Sequence, residues 1–148
     1  MSRHKELVDT RYEVVATLAE KEALEVKFLD ALLKALEQYL GAPEGAFHIK
    51  DLKPFAAEAK VTSSKYVRDK DGHMVGGFRL TISRDEDAYE LSVSLTPRGP
   101  DYEAACFGAR RTLKATEDPG WEAFFDDILR NIKNDMRSPL ARYATAET

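Results

Sequence analysis

The sequence predicts an α+β fold: a four-stranded antiparallel meander with a long N-terminal helix and a C-terminal helix packed on one face, in the order α-β-β-β-β-α. Three observations lead there. Between residues 75 and 96, Phe78, Leu80 and Ile82 alternate with Arg79, Thr81 and Ser83, then Tyr89, Leu91, Val93 and Leu95 with Glu90, Ser92 and Ser94. Period two gives each segment one apolar and one wet face, as in a sheet covered on one side. The linking turn, Asp85-Glu86-Asp87, is too short for a crossover helix, so the two strands pair directly. The ends of the chain carry apolar residues at helical spacing, so strands and helices are segregated along it.

Taken in order, Val8, Tyr12, Val15, Ala19, Val26, Leu29, Leu33, Leu36 and Leu40 recur three, four or seven residues apart, which makes residues 8–40 one long helix or two in line. Phe28, Leu32, Ala35 and Tyr39 widen the stripe over residues 26–40, the half expected to cover the sheet, while the narrower half projects. The run Glu20-Lys21-Glu22 interrupts the stripe and leaves two outcomes open. Either the chain breaks there and folds back, or a continuous helix, too long for a four-stranded sheet, pairs with a second copy through Tyr12, Val15, Ala19 and Val26.

Gly41 and Pro43 stop the helix. Residues 42–54 read as a connector pinned to the core by Phe47 and Ile49, and residues 55–67 as the first strand, with Phe55, Ala57, Ala59 and Val61 inward. Asp71-Gly72 marks a hairpin turn, and Gly76-Gly77 suits a bulge. After the turn residues 97–101, residues 102–114 form the fourth strand; Arg111 falls in phase with Ala105, Phe107, Ala109 and Leu113, which implies a bulge at Gly108 or a partly helical segment. Asp118 and Pro119 open the last helix, striped by Trp121, Phe125, Ile128, Ile132 and Met136. Ser138-Pro139 should end it, giving one domain over residues 1–138 and a flexible tail over 139–148.

A chain of 148 residues with 43% hydrophobic and 32% charged residues suits one globular domain and argues against both disorder and a membrane span. The opening Met1-Ser2-Arg3-His4-Lys5-Glu6 is followed by no apolar run, so no secretory signal is expected. One cysteine, Cys106, cannot close an internal disulfide, and cytoplasmic location is the expectation. The net charge of −4 divides into −2, +1 and −3 over residues 1–53, 54–114 and 115–148, with no basic cluster longer than a pair. Nucleic acid is therefore not an expected partner.

No constellation points to catalysis, a metal or a cofactor. His4, His48 and His73 have no second ligand at metal spacing, and Cys106 among Ala and Phe reads as a core residue. Asp69-x-Asp71-Gly72 opens like a calcium loop, but Leu80 stands where the bidentate glutamate belongs. Asp51 with Glu58-Ala59-Lys60 has the residue types of a metal-dependent nuclease, though on the wrong strand. Phosphate-loop, dinucleotide and nucleophile-elbow glycines are missing.

The remaining candidate surface is the wet sheet face, where Lys60, Arg79 and Arg110, with the neighbouring Arg111, could bind a partner or ligand. The expected function is that of a non-enzymatic regulatory, inhibitor or adaptor protein acting on a protein partner. Two alternatives stand beside it: a binder of a small anionic ligand or single-stranded nucleic acid on that face, and an enzyme with an unfamiliar site.

Overall fold

The computed structural model describes residues 2–50, 65–82 and 87–146. It shows the expected α+β architecture, a long N-terminal helix, an antiparallel sheet and a C-terminal helix, with more strands than four. Helix α1 (Arg3–Leu40) is unbroken over 38 residues, about 57 Å at 1.5 Å per residue. Ser2 caps it, its hydroxyl oxygen accepting the Lys5 N–H at 3.2 Å, and Gly41 (φ 59°) closes it with its N–H on the Glu37 and Gln38 carbonyls. The break considered near Glu20-Lys21-Glu22 does not occur. No Gly or Pro interrupts residues 3–40, and Ala, Leu, Glu and Lys around the run are all strong helix formers.

The described residues form a six-stranded sheet. Strands β1 (Phe47–Lys50) and β2 (Val67–Arg68) share one edge of β3 (Met74–Thr81), which continues through β4 (Ala88–Arg98), β5 (Asp101–Cys106) and β6 (Ala109–Leu113), every pairing antiparallel. Two strands correct the sequence expectation. Strand β1 lies inside the expected connector: Phe47 and Ile49 do face the core, but four alternating residues between Pro43 and Pro54 are too few to tell a strand from a pinned loop. The single strand expected over residues 102–114 is instead a hairpin, neither bulged nor helical. Phe107 (φ 47°) and Gly108 (φ 83°) turn it with two consecutive left-handed residues, and Phe-Gly lacks the Asn or Asp that usually announces such a turn. The strand expected over residues 55–67 lies outside the described residues except for its end.

Strand β4 passes through Pro97 to Arg98 because its pairing with β3 stops at Leu95, so Pro97 removes no donor from that ladder. Helix α2 (Pro119–Ala146) likewise runs past the expected stop at Ser138, and residues 139–146 continue the helix in place of the expected tail. Proline leaves the carbonyl four residues back without its donor; the Ser138 hydroxyl donates to that carbonyl, Asp135 O, at 2.8 Å.

Both helices lie over the same sheet face. Leu29, Leu32, Leu33 and Leu36 of α1 and Trp121, Phe124, Phe125, Ile128 and Ile132 of α2 bury themselves with Phe78, Leu80, Leu91, Val93, Leu95, Ala104 and Leu113. Phe28 joins the two helices by packing edge-on to Trp121 and against Tyr102. Gly76 lets α1 approach: a Cβ there would lie 2.9 Å from Leu29 Cδ2 and 3.0 Å from the Tyr66 ring. Ile82 and Met136, expected inward, are exposed because each lies at the end of its buried row.

Candidate functional site

The core ends well short of the start of α1. From Arg3 to Leu24 every residue except Glu22 is exposed, whereas the buried face begins at Glu25 and runs to Leu36. The narrow half therefore projects, as its spacing implied. At its base Glu25, 6% exposed, meets Arg68 of β2 at 3.3 Å, and Glu22 approaches the same guanidinium at 3.8 Å. Arg68 also donates to the Gly72 carbonyl at 2.7 Å, which fixes it to the hairpin loop. One helical turn further on, the Tyr66 hydroxyl donates to Asp30. Burial of Tyr66 and that carboxylate together raise its pKa.

The projecting half is not polar all round. Leu7, Val8, Tyr12, Val14, Val15 and Leu18 are all exposed, Leu7 at 69%, Tyr12 at 73% and Leu18 at 61%. At 100° per residue they fall within an arc of about 160°, with Ala19 inside it. The arc continues the buried face: Val8, Val15, Glu22, Leu29 and Leu36 stand seven apart, as do Leu18, Glu25, Leu32 and Tyr39. Among the described residues this is an exposed apolar patch on the part of α1 that buries no side chain.

Of the pairing residues named from the sequence, Tyr12, Val15 and Ala19 lie on this exposed arc, while Val26 is half-buried against the core. Leu7, Val14 and Leu18 were missed, although their spacing of seven and four was available as a second row beside the first.

The basic residues named for the wet face are not brought together. Arg79 and Arg110 do point to the face away from the helices, but three strand spacings and four residues of register separate them, roughly 20 Å. Arg110 bonds Glu103 at 2.7 Å, Glu103 also bonds Arg98 at 3.2 Å, and toward the other edge of the sheet Lys50 pairs with Glu90. These cations hold Glu90 and Glu103 below the usual carboxylate range. Arg111 lies on the helix side, bound to Asp127 of α2 at 2.6 Å, an ion pair that lowers the Asp127 pKa. Lys60, Asp51 and Glu58 lie outside the described residues.

Among the described residues no group of three His, Cys, Asp or Glu side chains could hold a metal, and no helix is long and apolar enough to cross a membrane. Asp69 is a turn residue, its carboxylate accepting the Asp71 and His73 N–H groups at 3.0 and 2.9 Å. His4 and His48 are exposed. Cys106 is buried, and burial pushes its thiol up to about 12, which leaves no thiolate for chemistry near neutral pH.

Family models, curated proteins and solved structures offer no match to this chain.

Proposed function

We propose that this protein is a non-enzymatic interaction module of the regulatory, inhibitor or adaptor kind, and that it engages its partner through the projecting half of α1, with a second copy of itself as the occupant. The single supporting observation is the exposed arc from Leu7 to Leu18, six large apolar side chains held outside the body on one helix. Soluble proteins rarely leave such a patch bare, and twofold pairing covers it on both copies with one contact. The wet sheet face supports an anionic ligand less well, since Lys50 and Arg110 already hold carboxylates. The base of α1 sits on the sheet body, so a homodimer presents two bodies joined by a helical stem, an arrangement suited to scaffolding or competitive occupation of a surface.

Light scattering coupled to size exclusion tests this. The expected result is a dimer mass at micromolar concentration that falls to a monomer in Val15→Glu and Leu18→Glu, both at exposed positions where folding is unaffected. A monomer mass for the unaltered chain at tens of micromolar would refute self-association through α1.

A further inference from the structure

We propose that the two stems pair antiparallel, in the register that sets residue i of one chain against residue 26 − i of the other; this rests on the self-association proposed above. In the heptad that places Val8, Val15 and Glu22 at one seam position, His4, Arg11 and Leu18 occupy the other. Antiparallel pairing sets these two classes opposite each other. Val8 then meets Leu18, Val15 lies under the aliphatic stem of Arg11, and Glu22 faces His4 with Lys5 one residue away. Tyr12 and Val14 flank the twofold axis and meet their own copies.

Charge favours this direction. Residues 3–11 carry three Lys/Arg against two acidic residues, while residues 13–25 carry one lysine against four glutamates. Antiparallel pairing lays the basic end of each stem along the acidic end of the other. A parallel pair would stack Arg11 on Arg11 and Glu22 on Glu22 inside the seam, each a repulsion between like charges.

The length of the stem selects the same register. In it Ser2 of one chain falls opposite Leu24 of the other, where burial against the body is about to begin at Glu25. A longer overlap would drive the partner's helix into the sheet body, and a shorter one would leave Val8 or Leu18 uncovered. The two Glu25 residues then stand about 36 Å apart along the stem, each twelve residues from the axis. The bodies are thereby held at opposite ends, free to engage two separate surfaces.

Oxidative cross-linking tests direction and register. Val8→Cys and Leu18→Cys alter exposed positions, and buried Cys106 needs no replacement. The expected result is a covalent dimer when the two variants are mixed and none from either alone. Cross-linking of each variant with itself would mean parallel stems and overturn this proposal while leaving self-association standing. A dimer mass by light scattering with no cross-link in any combination would overturn the register, and a monomer mass would overturn both proposals. Spin labels on Lys27→Cys give a second measure: about 42 Å of axial separation is expected for antiparallel stems, and roughly 10 Å between helix axes for parallel ones. A short distance alone suffices to reject the antiparallel arrangement.

Discussion

Replacing Arg68 by alanine tests how the stem is clamped to the body. At 3.3 Å and an effective dielectric of 20, the attraction between Glu25 and Arg68 is about 5 kcal/mol before desolvation is charged against it. Glu25 is almost fully buried, but the Arg68 side chain is 25% exposed, so water that enters after truncation solvates part of the orphaned carboxylate. The expected cost is about 3 kcal/mol, the lower end for breaking a buried pair from one side. Glu25→Gln removes the buried charge and keeps a hydrogen-bond acceptor, so it should cost about 1 kcal/mol or less. Glu25→Leu with Arg68→Met should be close to neutral, because neither partner is then left charged and buried. Urea titrations compare these three variants with the unaltered protein, and adding Glu25→Leu and Arg68→Met singly completes a double-mutant cycle. If Arg68→Ala costs less than about 0.5 kcal/mol, or if the double variant is as unstable as Arg68→Ala, the ion pair does not hold α1 to β2.

Gly76→Ala should destabilise by about 1–3 kcal/mol, since its Cβ would meet Leu29 and the Tyr66 ring at 2.9–3.0 Å; an unchanged urea midpoint would mean α1 can shift outward. Leu91→Ala should cost about 2–5 kcal/mol and Ser92→Ala nearly nothing, and equal losses in denaturant titration would contradict the assignment of sheet faces. In alkali, Tyr39 bonded to Asp126 has its pKa raised to about 12, with Tyr66 raised as well. The raised values favour the neutral phenols of the folded state, so their contribution is full below pH 10 and is lost as pH rises toward 12. Tyr39→Phe should flatten that part of a stability–pH curve, and an unchanged slope would contradict the assignment. Ser138→Ala should speed amide hydrogen exchange beyond Pro139 while leaving the Phe124–Ile132 part of α2 protected, and no change would mean the hydroxyl does not support the turn.

Local chemistry determined much of this protein. Period-two alternation over residues 75–96 placed β3 and β4 and their inner faces, and the second row Phe28, Leu32, Ala35 and Tyr39 marked the half of α1 that covers the core, although the matching row in the projecting half went unread. Those patterns are legible because burial on one face writes the period of the element directly into the chain. The same chain did not reveal where elements stop when a distant or side-chain partner settles the matter. Phe107-Gly108 reads as the middle of a strand until β6 is seen to fold back on β5, and Pro139 reads as a terminator until the Ser138 hydroxyl is found on the Asp135 carbonyl. Glu22 looked like a flaw in the apolar stripe, and Glu25 carried no signal; only the tertiary structure supplied Arg68, more than forty residues away, that Glu22 approaches and that makes Glu25 a buried anchor. The wet-face cations were placed by parity alone, which assigns a face but neither the strand order that separates Arg79 from Arg110 nor the carboxylates that already hold Arg110 and Lys50. Periodicity records which side of an element is buried, whereas partners and distances depend on contacts between residues far apart in the chain, and no local pattern carries those.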